Sequence, residues 1–417
     1  MAKIVAAPYG SLGDLHPLLA ISIELRDRGH DVTVATLEVY REKVEALGFE
    51  FRELRPKFDP EDRETARIVM DANKGSERLI RDYLSPGLTD MFEDLMAATE
   101  EADLLISGEI VYPAHSIAEK RGIKLVTTSM APLSMFSTYE PNIYPNAQFL
   151  RHLNFLGRPL HRVVFSSIRG VISKWLRPYR EFRSGIGLDP DHDPIIRDRY
   201  SEALHLALFS KVLGAPQPDW HPAAVQTGFC FYDGRDDLGK MPEGLSEFLE
   251  AGEPPIVFTL GSAAVMDPGD FFEESLAAAK MLERRAVALY GIFNDPPEGT
   301  DPDRAGFDYA PYGEIFPRAS CVVHQGGVGT TAQALRAGVP QLIMPYSHDQ
   351  PDNAARCERL GVARSVSRDR YKRKLAGSEI GKILNDPSYK ANAGRARDIV
   401  ANENGTRTAC DEIEKIL

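Results

Sequence analysis

Residues 308–353 read DYAPYGEIFPRASCVVHQGGVGTTAQALRAGVPQLIMPYSHDQPDN, and this stretch decides the fold. The apolar run CVVH leads into a turn with three glycines and then into a helix that opens with Thr330 and Thr331. Glycines let backbone N–H groups approach an anion, and the start of a helix adds the positive end of its dipole. The stretch therefore predicts a strand, an anion-binding turn and a helix in direct succession.

Two familiar phosphate motifs do not fit this turn. No GK[ST] follows the glycines, as a Walker loop requires, and the GxGxxG spacing of dinucleotide sites is absent. His324, at the strand end, can donate to a diphosphate, and a threonine at a helix entrance either caps the helix or donates to a phosphate oxygen. Taken alone, the glycines fit a tight turn without a ligand equally well.

Short apolar runs alternate with amphipathic helices on both sides of this stretch. Such alternation predicts parallel sheets covered on both faces. The predicted strands are 3–7, 31–35, 49–54, 103–106 and 124–127 in the first part, and 255–260, 285–289, 320–323 and 341–344 in the second. The predicted helices are 16–28 and 38–47, then 271–282, 331–337 and 353–360.

The pattern restarts after a stretch rich in proline and glycine near 216–254. We therefore predict an α/β fold with two Rossmann-like domains facing each other across a cleft. The expected divisions are 1–220, 221–385 and a helical tail at 386–417, whose last helix should pack back on the first domain.

Composition excludes several classes of protein. The net charge of −12 argues against a nucleic-acid binder, which needs a basic surface. Four scattered cysteines do not form a disulfide framework or a metal cage. The N-terminus is not a signal peptide, and no apolar run approaches the ~18 residues of a membrane span. A soluble, cytoplasmic protein is expected.

The quoted stretch resembles the donor-binding box of family 1 glycosyltransferases, since HQGGVGTT at 324–331 is similar to the bacterial HHGGAGTT. The resemblance implies the GT-B fold, a nucleotide-sugar co-substrate and no separate cofactor. It places Tyr309 against the nucleobase and Asp349 and Gln350 on the sugar hydroxyls. The remaining implied donor residues are Ala310 at the base edge, Gly261 and Ser262 near the β-phosphate, and His324, Gly326, Gly327, Gly329, Thr330 and Thr331 around the diphosphate.

One departure from the family pattern concerns the ribose. Gln333 occupies the place of a glutamate that usually grips both ribose hydroxyls. A neutral amide is a weaker partner for two hydroxyls than a carboxylate. We therefore expect a dTDP-sugar donor, with a UDP-sugar second.

The loop at 9–17, YGSLGDLHP, links the first strand to the first helix, where open α/β sheets place ligands. In the family this loop carries the base that deprotonates the acceptor, and Asp14 stands at that position. Burial beside an apolar acceptor would raise the pKa of this carboxyl and suit it to the task. His16 is the rival base, and Asp14 also fits a simple role as helix N-cap.

The sequence indicates fewer residues for the acceptor site than for the donor site. Gly108 stands where plant-type members have an aspartate that orients a histidine base, which agrees with a carboxylate base. Glu109, Met130 and Phe136 are the expected acceptor contacts, in an apolar and partly aromatic pocket. A flavonoid or another phenolic natural product is expected, with a sterol or lipid as the alternative.

The expected reaction is inverting, metal-independent hexosyl transfer. Three DxD triplets, at 189–191, 191–193 and 301–303, are interpreted as solvated turns rather than metal ligands. Two rival functions share the fold: a sugar-nucleotide 2-epimerase, which needs no acceptor, and a non-catalytic nucleotide-sugar binder.

Residues 151–183 are basic, although the chain as a whole has a negative net charge. Arginines and a lysine alternate there with apolar side chains. This pattern fits peripheral contact with a membrane or with an acidic, apolar acceptor, without stable insertion. It also fits an ordinary helix with a solvated basic face.

Overall fold

The computed structural model describes residues 1–57, 59, 62–140, 142–233, 240–296 and 302–417. Two sheets organise the chain, and the paired strands in each are parallel. The first has the order β3-β2-β1-β4-β5-β6-β7 and comprises Lys3–Ala7 (β1), Asp31–Thr36 (β2), Glu50–Glu53 (β3), Leu104–Ser107 (β4), Lys124–Ser129 (β5), Leu204–Ala207 (β6) and Ala224–Gln226 (β7). The second has the order β10-β9-β8-β11-β12-β13 and comprises Ile256–Thr259 (β8), Ala286–Leu289 (β9), Arg304–Phe307 (β10), Cys321–His324 (β11), Gln341–Ile343 (β12) and Ala363–Ser365 (β13).

Helices cover both sheets. In the first half they are Leu12–Asp27 (α1), Arg41–Ala46 (α2), Arg63–Val69 (α3), Gly75–Arg78 (α4), Leu88–Ala98 (α5), Ala114–Arg121 (α6), Gly157–Trp175 (α7) and Arg177–Gly185 (α8). In the second half they are Leu245–Glu250 (α9), Phe271–Met281 (α10), Tyr312–Ile315 (α11), Val328–Ala337 (α12), Gln350–Arg359 (α13), Arg373–Asn385 (α14), Pro387–Ala401 (α15) and Gly405–Ile416 (α16). Among the residues that the structure describes, six 3-10 segments lie at 38–40, 132–135, 145–156, 264–266, 316–318 and 368–370, and one π-helical turn lies at 79–84. Within the described ranges, no helix combines the length and apolarity needed to cross a bilayer.

The predicted two-domain α/β architecture is confirmed, and so are the nine predicted strands, with small shifts at their ends. The sequence analysis did not predict four of the described strands: β6, β7, β10 and β13. Since β7 belongs to the first sheet, that sheet extends to Gln226. Helix α1 begins at Leu12 rather than at residue 16, because the Ser11 side chain caps it through Gly13 N.

The C-terminal tail divides between the two domains. Helix α15 packs against α12 of the second domain, whereas α16 packs against α1 of the first. Arg28 of α1 donates to Asp411 and Glu414 of α16, both at 2.7 Å, and Cys410 and Ile413 are buried in the first core. The predicted return of the last helix to the first domain is confirmed.

A buried arginine ties the two domains together beside the cleft. Arg356 of α13 is 2% exposed and bonds to Asp352 at 2.6 Å within its own helix. It also forms a 2.8 Å ion pair with Glu140 and donates to the Leu213 carbonyl at 3.2 Å, both in the first domain. Because a buried guanidinium needs such partners, these bonds hold α13 against the first domain.

Candidate active site

The glycine turn after β11 presents backbone N–H groups to the cleft. Gly326 has φ +88, and a Cβ placed there would lie 2.7 Å from the Ile343 side chain, so only glycine fits. Gly327 is the N-cap of α12 and caps it without a side chain, which leaves the first N–H groups of the helix for a ligand. Thr330 and Thr331 are buried inside the first turns, so the alternative in which a threonine caps α12 is wrong.

His324 supports this turn from beneath. Its ring is fully buried, Nδ1 accepts from Gly326 N at 3.0 Å, and Nε2 lies 2.8 Å from Gln341 Oε1. Burial lowers the pKa of His324 to about 4, so the ring is neutral. With both ring nitrogens engaged inside the protein, the direct bond to a diphosphate expected from the sequence is not available in this conformation. His324 instead fixes the position of Gly326.

Asp349 and Gln350 lie at the start of α13, opposite this turn. Gln350 is 6% exposed, and its Oε1 accepts from Tyr346 N at 2.8 Å, so it holds the preceding loop. Asn353 Nδ2 donates to Asp349 Oδ2 at 2.7 Å and to the Gly326 carbonyl at 2.9 Å. The acidic side chain and the glycine turn are therefore joined through Asn353, which the sequence analysis missed although it lies one helical turn after Asp349.

The predicted nucleobase end of the cleft is aromatic. Tyr309 is half-buried and stacks on Tyr312 at 6.5 Å, which stacks in turn on Phe316 at 4.5 Å. Ala310 is fully buried beside them. Phe316 is fully buried, so the half-buried Tyr309 at the outer end of this stack offers the flat apolar surface of the kind that accepts a base.

A second loop faces the glycine turn. Gly261 has φ +66 and follows β8, and Ser262 is exposed next to it. A Cβ on Gly261 would lie 3.3 Å from Thr330 Oγ1, which brings the two loops predicted to hold the diphosphate side by side.

Asp14 is held firmly in the first-domain loop. Its Oδ2 accepts from Ser11 N at 2.8 Å and from Ser11 Oγ at 3.1 Å, in a reciprocal capping box. Ser11, not Asp14, is the N-cap of α1, so the simple N-cap alternative for Asp14 is wrong. Gly10, with φ +131, makes room for this carboxylate, because a Cβ there would lie 2.5 Å from Asp14 Oδ2.

His16 lies further along α1 and faces the segment between the domains. Its ring stacks on Tyr232 with a centroid separation of 4.8 Å. His16 lies two positions after Asp14, with one residue between them, so the two rival bases point in different directions from the helix.

Glu109 lies across the loop from Asp14 and holds the predicted acceptor segment. Its carboxylate accepts from Met130 N and from Ser134 Oγ, the latter at 2.8 Å, and pairs with Arg199 at 3.5 Å. Phe136 packs against Phe165 of α7 with ring centroids 5.6 Å apart. Met130 is buried at the base of the same segment.

Three carboxylates from both domains approach one another in the cleft. Burial, helped by the charge of Glu109, raises the pKa of Asp14 to about 6, against the lowering effect of the hydrogen bonds from Ser11. Burial, helped by the charges of Glu109 and Asp14, likewise raises the pKa of Asp349 to about 7, against the lowering effect of the hydrogen bond from Asn353. The cleft therefore holds proton-accepting groups whose pKa values lie near neutrality, as acid–base chemistry requires.

Gln333 lies on α12, and its Oε1 is buried with no hydrogen-bond partner among the described residues.

The DxD turns are structural where described: Asp189 accepts from Asp191 N at 2.9 Å, and Asp193 accepts from Ile195 N and Ile196 N. Residue 301 of the third triplet lies outside the described residues.

Comparison with known proteins supports one family. Residues 299–417 match the model "Erythromycin biosynthesis protein CIII-like, C-terminal domain". O-mycaminosyltylonolide 6-deoxyallosyltransferase of Streptomyces fradiae is 32% identical over 99% of this chain and 97% of its own length. Sterol 3-beta-glucosyltransferase UGT80A2 of Arabidopsis thaliana is 27% identical over all of this chain, which spans 66% of that relative.

A solved structure has the same fold along its whole length. The glycosyltransferase VinC, crystallised in complex with DTDP, superposes with a TM-score of 0.70 at 18% identity and covers 99% of both chains. The full-length similarity, the two parallel sheets and the glycine turn after β11 agree with one another. The chain belongs to the family 1 glycosyltransferases of the GT-B fold, enzymes of natural-product and sterol type that use nucleotide-sugar donors.

Proposed function

We propose that this glycosyltransferase moves a sugar from a dTDP-sugar to a hydroxyl of an apolar natural product, with inversion at the anomeric carbon. The observation that carries the mechanism is the placement of Asp14. Its Oδ2 is held by Ser11, its pKa is raised to about 6, and Glu109 and Asp349 lie near enough to influence its charge. Asp14 Oδ1 is thus the oxygen that receives a proton.

In the proposed step, Asp14 Oδ1 takes the proton of the acceptor hydroxyl as its oxygen attacks the anomeric carbon. The new C–O bond forms while the bond to the β-phosphate oxygen breaks, and the nucleoside diphosphate leaves with the electron pair. Backbone N–H groups of the Gly326–Thr331 turn stabilise the added negative charge in place. The amides supply this stabilisation, so we assign no resident cofactor or metal to the step.

Support for a dTDP donor comes from Gln333. The Gln333 Oε1 has no partner in the described structure. A neutral amide binds the two hydroxyls of a ribose more weakly than a carboxylate does, and a deoxyribose has one hydroxyl fewer to bind. VinC, which shares the fold, was crystallised with DTDP. A UDP-sugar is the second candidate.

The acceptor proposal rests on the apolar segment held by Glu109. The partly buried rings of Phe136 and Phe165 offer apolar surface next to the buried Met130, which suits a phenolic compound such as a flavonoid. The Streptomyces relative is named for O-mycaminosyltylonolide and the Arabidopsis relative for sterols, so these are the acceptors to test next.

Calorimetric titration of the protein with dTDP and with UDP tests the donor. We expect micromolar binding of dTDP with UDP clearly weaker; binding of UDP about tenfold tighter would overturn the dTDP proposal. Transfer is then tested with dTDP-sugars and phenolic acceptors. Asp14→Asn should lose about a hundredfold or more in turnover while its affinity for dTDP stays the same.

We further propose peripheral contact of the α7 surface with an anionic membrane. Between residues 141 and 180 the sequence has seven arginines and lysines and no acidic residue, in a chain of net charge −12. Phe165 and Ile168 of α7 pack on the core, while Arg162, Val163 and Arg169 are exposed. Phe155 and Phe149, just before the helix, are 80% and 65% exposed. Interleaved cations and exposed rings are the chemistry that anionic lipid surfaces bind.

Vesicle flotation tests this contact. The protein should float with phosphatidylcholine–phosphatidylglycerol vesicles at low salt and not with pure phosphatidylcholine vesicles. The double variant Arg162→Glu/Arg169→Glu should not float with either kind of vesicle. Arg395→Glu/Arg397→Glu on α15 is the control with the same change of charge. Equal flotation of both variants, or a shift to dimers without flotation, would contradict the proposal.

A further inference from the structure

One segment of the first domain, formed by α3, the turn after it and α4 (62–78), packs on the second domain. Arg63 at its start donates to Asn294 Oδ1 at 3.1 Å. Further along, the Asp71 carbonyl accepts from Ser347 Oγ at 3.0 Å. Three of its side chains are buried in the core that β8, β11 and α10 form: Ala66, Val69 and Met70. The segment therefore follows β3 of the first domain in the chain but belongs to the second domain by its packing.

The ring of His348, the residue before Asp349, is bound to this 62–78 segment. His348 Nδ1 lies 3.1 Å from Ser76 Oγ, within hydrogen-bond distance. Burial lowers the pKa of His348, against the raising effect of a hydrogen bond to the Val69 backbone, so the ring is neutral near pH 7. The ring thus has two partners in the first domain, one from a side chain and one from the backbone.

The backbone of His348 needs such support. Its φ is +55, in the left-handed region that is unfavourable for a residue with a side chain. A conformation of this kind persists where the surrounding contacts hold it, and the contacts of the ring with Ser76 and Val69 are of that kind. The next residue is Asp349, the N-cap of α13. The course of the backbone into Asp349 therefore depends on where the 62–78 segment holds His348.

A second contact with the first domain lies on the other side of Asp349. Ile143 N donates to Asp352 Oδ1 at 2.9 Å, and Asp352 is fully buried. The predicted sugar-binding carboxylate thus lies between His348 and Asp352, which are both hydrogen-bonded to the first domain. Its position depends on both domains, although the residue itself belongs to the second.

We propose that Ser76 and His348 are positioning residues for the donor sugar, because the hydrogen bond between them sets the place of the Asp349 carboxylate. The first domain then contributes to the selection of the sugar as well as to binding of the acceptor. This inference rests on the proposed transfer from a nucleotide sugar and on the predicted contact of Asp349 with sugar hydroxyls, and it deepens both. The sequence analysis gave neither residue a role, since no spacing within one stretch joins positions 76 and 348.

Calorimetric titration with dTDP-glucose and with dTDP tests the role of Ser76, because only the first ligand carries a sugar. Ser76 is exposed, so Ser76→Ala should fold. It should weaken binding of dTDP-glucose about fivefold and leave binding of dTDP within about twofold of the wild type, since one hydrogen bond is lost. Ser76→Thr keeps the hydroxyl and should bind both ligands like the wild type. Ser365→Ala is the matched control: Ser365 Oγ donates to Glu358 Oε1 at 2.7 Å, at the other end of α13, and its loss should change neither affinity.

His348→Gly tests whether Ser76 acts through the ring. Glycine adopts the left-handed φ of this position without strain, so the variant should fold. It should lose affinity for dTDP-glucose as Ser76→Ala does. The double variant Ser76→Ala/His348→Gly should lose no more than His348→Gly alone, because the two side chains share one bond. Full addition of the two single losses would mean that the residues act separately, which would overturn the proposal.

The remaining outcomes separate this inference from the proposed function. The positioning role is refuted if Ser76→Ala binds both ligands like the wild type, weakens both equally, or shares its loss with Ser365→Ala. If the wild-type protein prefers UDP to dTDP, the dTDP proposal fails, and UDP-glucose compared with UDP tests Ser76 in the same way. If the wild-type protein, folded by its thermal transition, binds neither nucleotide, the proposed function and this inference fall together.

Discussion

Asn353 holds Asp349 in place by a 2.7 Å hydrogen bond from its Nδ2 to the carboxylate. The same nitrogen donates at 2.9 Å to the carbonyl of Gly326, so one buried amide sets the distance between the predicted sugar-binding carboxylate and the phosphate turn. Neither partner can move without the other. The two halves of the donor site are thus positioned as a unit within the second domain.

Replacing this amide should therefore damage donor binding as well as stability. Asn353→Ala leaves a buried carbonyl and a carboxylate short of a donor, which should lower the free energy of unfolding by about 1–3 kcal/mol. Binding of the nucleotide sugar should weaken about tenfold, because Gly326 and Asp349 lose their common support. Thermal unfolding and calorimetric titration measure the two effects.

Asn392→Ala is the matched control, since Asn392 Nδ2 donates to the Gly361 carbonyl at the same 2.9 Å, after the end of α13. It should cost stability without weakening donor binding. Equal loss of binding in both variants would show that Asn353 acts only through general stability.

The pH dependence of turnover should reflect Asp14. Burial raises the pKa of this carboxyl from its ordinary value to about 6, so the group is protonated and inactive as a base below that pH and ionised above it. Hence kcat/KM should rise as the pH increases through about 6 and level off above pH 7. A pH–rate profile under subsaturating acceptor measures this directly.

In Asp14→Asn the same profile should lose its inflection, along with about a hundredfold or more of the rate. If the variant keeps near-normal turnover with the inflection intact, another base such as His16 serves the reaction.

Gly10→Ala should affect catalysis through Asp14 alone. The new Cβ would come within 2.5 Å of Asp14 Oδ2 and would have to push the carboxylate aside. A displacement of about 1 Å can cost about a hundredfold in rate, so kcat should fall steeply while affinity for the nucleotide is unchanged. Steady-state kinetics and dTDP titration distinguish these two effects.

Gly29→Ala controls for backbone strain, because Gly29 also has a left-handed φ, +93, but nothing lies within 4 Å of its added Cβ. It should cost about 1 kcal/mol in stability and nothing in kcat. A fall in kcat of similar size in both variants would remove the steric explanation.

How far the sequence predicts this molecule depends on the kind of residue. The buried strands such as β1, β8 and β11 are short apolar runs followed by glycine or proline turns, so they were predicted within a residue or two. Strands β10 and β13 were missed because Arg304–Phe307 and Ala363–Ser365 are short edge strands with partly exposed, mixed side chains. The pattern of such strands does not differ from that of a loop.

The site shows the same division. Asp14, Asp349 and the glycine turn could be predicted as site residues because they match a motif in order along the chain. The inward rotation of His324 and the role of Asn353 depend on which neighbour fills each space, such as Gln341 beside His324 or Gly326 beside Asn353. Those contacts join residues that are distant in the chain, and no spacing within one stretch reveals them.

Donor preference should follow the side chain at position 333. In the wild-type protein the Gln333 carboxamide, at the position predicted to contact the ribose, has a buried Oε1 with no partner in the described structure. Gln333→Glu supplies an ionised carboxylate that accepts two hydroxyl bonds, so UDP should gain about fivefold or more in affinity relative to dTDP. Because dTDP and UDP differ in both sugar and base, dUDP belongs in the same titration: the UDP–dUDP comparison isolates the 2′-hydroxyl, and the dUDP–dTDP comparison isolates the methyl group. The substitution should change only the first comparison. If it changed only the second, position 333 would contact the base, and the argument from the ribose to a dTDP donor would no longer hold.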